Sequence, residues 1–402
     1  METILRAHGH EPGTPADAVI VNTCAVTAEA GRKSRQVIRR LREENPGALI
    51  AVSGCYAQLS PEEAEELGVG IIFGTGDRAK FIEAIEKGLP EKNIDDPFRR
   101  FDYEVLPAGP VSGRTRAMMK IQDGCVNFCS YCIIPYTRGR LRSLPMAEAV
   151  SETKRLAEEG YRELVLTGIE VASYGLDLEG KPGLADVITA CAAEAGEMRI
   201  RLGSLEPTVV TEDFCRRLAS CGNICSHFHL SLQSGCDQTL QTMNRKYGTE
   251  RFYEACCLLR EYFPGCGLTC DLITGFPGET EEDFGETLSF IEKCSFSDMH
   301  IFPYSRRPGT PADKMPGQCT NAVKAARAAA AEQVRAKMHR EFLEAQIGTV
   351  RKVLFETEEG GLWQGHSENY VLVRTEGENR RNTLSDVRID KTDGEVLYGT
   401  CI

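Results

Sequence analysis

A chain of 402 residues, 42% apolar and 26% charged, can bury ordinary cores in two or three domains. Its net charge of −12 argues against non-specific nucleic-acid binding by bulk charge and leaves only local basic surfaces. The opening METILRAHGHEP lacks a basic stretch followed by an apolar one, and no apolar run is long enough to span a bilayer, so a cytoplasmic protein with no membrane contact is expected. Seventeen cysteines in a reducing compartment do not make a disulfide framework. Some should be metal ligands, and the rest small buried apolar residues.

The N-terminal part alternates strand and helix. DAVIVNTC (17–24) reads as a buried parallel strand. Residues 28–44 read as a helix with Val37, Ile38 and Leu41 on one face and arginines over the rest, stopped at Asn45-Pro46-Gly47. ALIAVSGC (48–55) is a second strand, SPEEAEEL (60–67) opens a serine-capped helix, and VGIIFGTGD supplies a third strand. Such a series makes a parallel sheet. Two basic surfaces are candidates for RNA contact: Arg32, Lys33, Arg35, Arg39, Arg40 and Arg42 on the helix, and Arg138, Arg140 and Arg142. For the helix, a merely solvated amphipathic face is an equal alternative. Residues 89–112, rich in Pro, Asp and Arg, read as a linker.

From about residue 113 the alternation restarts on a longer scale. Six strands are predicted: AMMKIQDG, ELVLTGIE, RIRLGSLE, FHLSLQS, LTCDLITGF and DMHIFPY. Polar residues and glycines gather at their C-terminal ends, where parallel barrels carry their active sites. Six repeats suggest an incomplete barrel. After a long helix ending near Gln346, GTVRKVLFET, LWQGHSENYVLVRT, SDVRIDKTD and EVLYGTCI read as short strands of a small antiparallel barrel. The fold class is therefore α/β in three parts: a parallel-sheet domain (1–105), an incomplete (β/α)6 barrel (113–340) and a small antiparallel β-barrel (345–402).

DGCVNFCSYC places Cys125, Cys129 and Cys132 at C-x3-C-x2-C spacing, directly after the first barrel strand. Three thiolates in one loop can hold three irons of a [4Fe–4S] cube, leaving the fourth open to the amino and carboxylate groups of S-adenosylmethionine. A structural zinc site would want four ligands, and no fourth lies nearby. The other twelve cysteines, including Cys221, Cys225, Cys256 and Cys257, show no such spacing and read as structural.

In order along the chain, DGCVNFCSYCIIPYTRG, LTGIE, RLGSLEP, HLSLQSG, DLITGFPGET and FPYSRRPGTPA resemble the radical S-adenosylmethionine methylthiotransferases. The small C-terminal barrel resembles the TRAM domain of that family, and VNTC and SGCYAQ resemble its N-terminal domain. The match covers nearly the whole chain. It implies a transferase whose cluster on Cys125, Cys129 and Cys132 generates a 5′-deoxyadenosyl radical. It also implies Tyr131 beside the cofactor's adenine, with Gly168, Ser204, Gln233, Gly275 and Tyr304 around the cofactor. A second [4Fe–4S] cluster is implied on Cys24 and Cys55. In the family a third ligand precedes the first helix, whereas no cysteine precedes Cys24 here, so an N-terminal truncation with a missing strand is expected.

The implied partners are tRNA at its anticodon stem-loop, an electron donor such as flavodoxin or ferredoxin, and a sulfur donor. SYCIIPYTRG, TGIEVASYG and SLQSGCD look most like the group that methylthiolates C2 of N6-threonylcarbamoyladenosine, 3′ of the anticodon. Isopentenyl-adenosine in tRNA and a ribosomal-protein aspartate are the alternative substrates within the family. A non-catalytic iron–sulfur RNA-binding or sensor protein is the alternative of another class.

Overall fold

Apolar runs separated by breakers become the strands of a parallel sheet near the N-terminus. Strands β1 (Ala18–Thr23), β2 (Leu49–Gly54), β3 (Ile71–Phe73) and β4 (Glu91–Asn93) lie side by side in that order, all parallel. The sheet is covered on both faces. Ile50, Val52 and Ile72 share a core with Ile38 of the helix Ala28–Glu44. Ala51, Ile71 and Phe73 pack with Phe81 and Ile85 of the helix Arg78–Lys87. The first helix is capped by Thr27, whose hydroxyl accepts from the Ala30 N–H at 3.0 Å.

Two local readings need correction. Ser60 makes no side-chain cap; Pro61 starts that turn, since a proline has no N–H to leave unsatisfied there. β4 lies in the segment read as a linker. Its residues Glu-Lys-Asn carry no apolar signal, and backbone pairing with β3 is what recruits them.

The computed structural model describes residues 1–108, 115–378 and 380–402, so the expected boundary at 113 lies outside the described residues. Packing divides the chain into two units. The first joins Met1–Pro107 to Asp123–Arg142 and Ser305–Lys314; the second holds Ala108–Gln122, Ser143–Tyr304 and Met315–Ile402.

In the second unit the six predicted strands are all present. β5 (Arg116–Asp123), with the short β6 (Arg142–Ser143) beside it, pairs with β7 (Glu163–Gly168), which pairs with β8 (Arg199–Leu202). β9 (His227–Gln233), β10 (Gly267–Thr274) and β11 (Asp298–Pro303) form a second parallel group. Parallel bridges Ile200↔Ile224 and Leu205↔Leu230 join the groups into one incomplete barrel.

The long helix Asn321–Glu344 then leads into a closed five-stranded barrel. Its strands are β12 (Val350–Glu359), β13 (Leu362–Ser367), β14 (Leu372–Thr375), β15 (Leu384–Thr392) and β16 (Leu397–Cys401). All pairs are antiparallel except β14 with β16. LWQGHSENYVLVRT divides into two strands, because Ser367 turns the chain: its hydroxyl accepts from the Val371 N–H at 3.0 Å. Leu343 of the long helix joins Val353, Phe355 and Trp363 in the small barrel's core. Among the described residues, no helix is long and apolar enough to cross a membrane.

A buried ion cluster latches the small barrel to the large one. Glu163 of β7 is fully buried and accepts from Arg199 at 2.6 Å and Arg201 at 2.9 Å. The rest of each guanidinium donates to backbone carbonyls of the small barrel: Arg199 to Lys352 and His366, both at 2.8 Å, and Arg201 to Ser367 at 3.1 Å. Arg116 meets Glu356 at 2.7 Å, and His366 lies 2.7 Å from the same carboxylate. Burial opposes the charge on Glu163, yet the arginines around it hold its carboxyl well below the usual range.

Candidate active site and cysteine loops

The triad loop leaves β5 through Gly124, which has φ +76°, and a Cβ there would collide with the Arg140 carbonyl. The loop then folds back, with the Cys125 N–H donating to the Gly139 carbonyl at 3.1 Å. Phe128 takes a left-handed φ of +48°, and the Cys132 N–H donates to the Cys129 carbonyl at 2.9 Å. Tyr131 lies inside that last turn, half-buried. The Asn127 N–H points at the Cys125 sulfur at 3.5 Å. Cys129 is buried, and Cys125 and Cys132 are half-buried.

Among the described residues, no three His, Cys, Asp or Glu side chains are drawn together as a closed metal site. What the loop offers is a donor set of three thiols, one of them already receiving an N–H. That set fits a thiolate-held iron–sulfur cluster rather than a hard cation, which takes oxygen ligands.

Cys24 and Cys55 are placed by strand register. Thr23 pairs with Gly54, so the next residue of each strand leaves the same end of the sheet on neighbouring strands. The Thr23 hydroxyl donates to the Ser53 carbonyl at 2.6 Å and accepts from the Ala57 N–H at 3.4 Å, fastening the two ends together. Gly54 has φ +102° and ψ −166°, a region open essentially to glycine alone. Cys55 is buried and Cys24 exposed.

Both cysteine loops lie in the first unit, together with a strap, Ser305–Lys314. The Ser305 hydroxyl accepts from the Ala28 N–H at 2.9 Å, at the helix following Cys24. At the strap's far end, the Ala312 N–H donates to the Ser130 carbonyl at 2.8 Å, inside the triad loop. Arg138 sits beside Cys55 and meets Asp123 at 3.4 Å. Burial works against its charge, but Asp123, Cys55 and Cys24 hold its pKa above the ordinary arginine value.

The remaining expected residues lie at the C-terminal ends of strands in the second unit. Gly168 ends β7 opposite Gln122, whose side-chain carbonyl accepts from the Ile169 and Glu170 N–H groups at 3.1 and 2.7 Å. Ser204 follows β8 and lines a cavity of about 630 Å³ with His229, Asp271, His300 and Arg335. Gln233 ends β9 with a left-handed φ of +70°. Gly275 follows β10, also at φ +70°, and its N–H donates to Glu279 at 2.8 Å. Tyr304 follows β11, buried, with its N–H on the Thr274 carbonyl at 2.8 Å.

The structural cysteines behave as small apolar residues. Burial pushes Cys191 and Cys215 up to about 11 and Cys266 up to about 12, so these thiols stay neutral. The helix arginines stay exposed in surface ion pairs, whereas Arg142 is buried. Arg32 pairs with Glu29, Arg35 with Glu63 at 3.5 Å, and Arg40 with Glu44 at 3.8 Å. Arg142 meets Asp123 at 3.7 Å, and Arg140 donates to the Phe98 carbonyl at 2.9 Å.

Sequence reading missed the strap, the role of Arg138 beside the cysteines, and Gln122 as the anchor of the LTGIE turn. Arg138 stood out only as one of a basic set, the strap only within a family motif and Gln122 only within a strand, because each acts on a partner distant in the chain.

Residues 119–291 match the Radical SAM superfamily model, and residues 1–74 match the model described as uncharacterized protein family UPF0004. The chain is 39% identical over 373 residues to the threonylcarbamoyladenosine tRNA methylthiotransferase MtaB of Bacillus subtilis, covering 90% of this chain and 82% of the relative. It is 35% identical over 405 residues to the tRNA-2-methylthio-N(6)-dimethylallyladenosine synthase of Clostridium tetani, covering 97% of this chain and 89% of the relative. In fold it is similar to the radical S-adenosylmethionine methyltransferase TsrM of Kitasatospora setae, with a TM-score of 0.57 at 17% identity over 89% of this chain and 71% of the other. Sequence identity at this level over nearly the whole length establishes that the chain belongs to the radical S-adenosylmethionine methylthiotransferase family.

Proposed function

We propose that the protein transfers a methylthio group to C2 of N6-threonylcarbamoyladenosine, 3′ of the anticodon in tRNA. The observation that carries this reading is its 39% identity, over 90% of the chain, to a relative of that name. Cys125, Cys129 and Cys132 would hold three irons of a [4Fe–4S] cluster. Once bound, that cluster with S-adenosylmethionine supplies a 5′-deoxyadenosyl radical. Tyr131 orients the adenine of the cofactor from within the triad loop. Gly168, Ser204, Gln233, Gly275 and Tyr304 surround the cofactor with backbone and polar groups. Cys24 and Cys55 would supply two of the three thiolates that the second cluster takes in the family, on the domain spanning 1–105.

The small barrel (345–402) grips RNA, and an unstacked anticodon-loop base suits a protein that works on a base edge. A flavodoxin or ferredoxin supplies electrons, a separate donor supplies sulfur, and the reaction takes place in the cytoplasm.

The test is anaerobic turnover on tRNA carrying either N6-threonylcarbamoyladenosine or isopentenyl-adenosine, read by nucleoside mass spectrometry. A methylthio product on the first substrate alone is expected. Product only on the second would reassign the nucleoside, and 5′-deoxyadenosine without any methylthio nucleoside would reject both.

A further inference from the structure

Phe101 is the most exposed aromatic side chain among the described residues, at 69%, yet the chain that carries it is tied down. Pro97 is buried, and the Asp96 carboxylate accepts from the Phe98 N–H at 2.9 Å. Arg100 donates to Asp95 at 2.5 Å and to the Thr75 hydroxyl at 2.6 Å. Thr75 donates in turn to the Thr137 carbonyl at 2.5 Å, which fastens the segment to the chain following the triad loop.

Arg140 lies across the ring. Its Nε–H donates to the Phe98 carbonyl at 2.9 Å, and its guanidinium carbon stands 5.3 Å from the centre of the Phe101 ring. Arg140 is exposed and, among the described residues, makes no ion pair. Arg99 adds a second cation, 87% exposed and held only by Asp96 at 3.5 Å. The backbone here also supports the triad loop. The Gly139 carbonyl accepts the Cys125 N–H at 3.1 Å, and the Arg140 carbonyl is the group that leaves no room for a Cβ at Gly124.

A single exposed aromatic ring is ordinary on a protein surface. A ring fixed from behind and paired with a cation that has no carboxylate of its own is a different object, because little freedom is left to lose on binding. Each unpaired nucleotide of an RNA brings a π-face and a phosphate. Aromatic rings and guanidinium planes stack on the first, and arginine attracts the second.

We infer that Phe101 and Arg140 form a stacking platform for an unpaired nucleotide flanking the modified adenosine of tRNA, with Arg99 adding charge for its phosphate. The inference rests on the reading of the triad loop as the place where tRNA reacts, and it adds an RNA contact outside the small barrel.

The test uses the full chain, kept anaerobic, and an anticodon stem-loop RNA carrying N6-threonylcarbamoyladenosine with 5-iodouridine at a flanking position. Irradiation should cross-link that uridine to the peptide containing Phe101, as read by mass spectrometry. Phe101→Ala and Phe101→Leu should each weaken binding by at least about fivefold and abolish the cross-link, whereas Phe101→Trp keeps both. Arg140→Gln should weaken binding and flatten its salt dependence. Unfolding curves of the Phe101 variants should match the parent, because the ring is largely in solvent. Parent-like affinity in Phe101→Ala and Arg140→Gln overturns the platform. Full affinity in Phe101→Leu also overturns it, since bulk alone would then suffice. Unchanged RNA affinity with slower reduction by a flavodoxin assigns the surface to a protein partner instead. A parent chain that binds neither this RNA nor its isopentenyl-adenosine counterpart overturns the functional reading itself, before any variant is compared.

Discussion

At the scale of single residues, Gly54, the last residue of β2 before Cys55, is confined to a backbone conformation open to glycine. Its φ of +102° with ψ −166° excludes side chains, and a Cβ would collide with the Thr23 carbonyl. Gly54→Ala should therefore destabilise the protein by about 2–4 kcal/mol in urea unfolding. If Cys24 and Cys55 carry iron as proposed, it should also reduce iron retention there, because the collision pushes apart the two strand ends that carry them. An unchanged unfolding curve would mean that this strand end relaxes freely. Gln233 poses the opposite case: a bulky residue holds φ +70° at the C-terminal end of β9, where a cofactor contact is proposed. Strain kept at such a position is consistent with a role in binding. Nothing in the local sequence HLSLQSG announces either conformation, since both depend on what the neighbouring strand brings close.

At the scale of elements, the junction between β5 and β12 is held by charge, and its pH dependence follows. Burial would raise the Glu356 pKa, but His366 and Arg116 hold it down at about 2, against an ordinary 4.5. A carboxyl depressed in the folded state contributes stability above its unfolded pKa and loses it as the pH falls towards the folded value. The contribution is thus complete above about pH 4.5 and gone near pH 2, with a size of about 2–3 kcal/mol. Glu356→Gln should lower stability by that amount at pH 7, and the gap to the parent should close through this window. A gap independent of pH would assign the effect to packing instead of charge.

At the scale of the whole molecule, the small barrel is part of the fold of the second unit. Arg199 and Arg201 are almost fully buried, and their outer donors are satisfied by carbonyls of residues 352 and 366–368. Removing residues 345–402 would strip those acceptors and expose Leu343, now buried in the small barrel's core. The truncated chain should melt at least about 10 °C lower than the parent or fail to stay soluble. Calorimetry of both chains decides it. If the truncated chain melts like the parent and loses only tRNA affinity, the latch contributes no stability and the small barrel is a separable RNA module.

What the sequence determined by itself was local or periodic. Apolar runs such as DAVIVNTC and LTCDLITGF fixed the parallel strands, because burial on both faces requires continuous hydrophobicity. The spacing of Cys125, Cys129 and Cys132 on one loop carried the chemistry, because thiolates that share a cluster can come from one short segment. Tertiary structure alone decided which charges are interior. In ELVLTG and RIRLG nothing local marks Glu163, Arg199 and Arg201 as interior, yet they are buried where the small barrel covers them. It also decided that Ser305–Lys314 packs with the N-terminal sheet and the triad loop, and that the arginines of FPYSRRPGTPA and YTRGR gather near Cys24 and Cys55. Those pairings join residues far apart in the chain, and no local preference records them. They exist because a buried charge must find a partner wherever the fold delivers one.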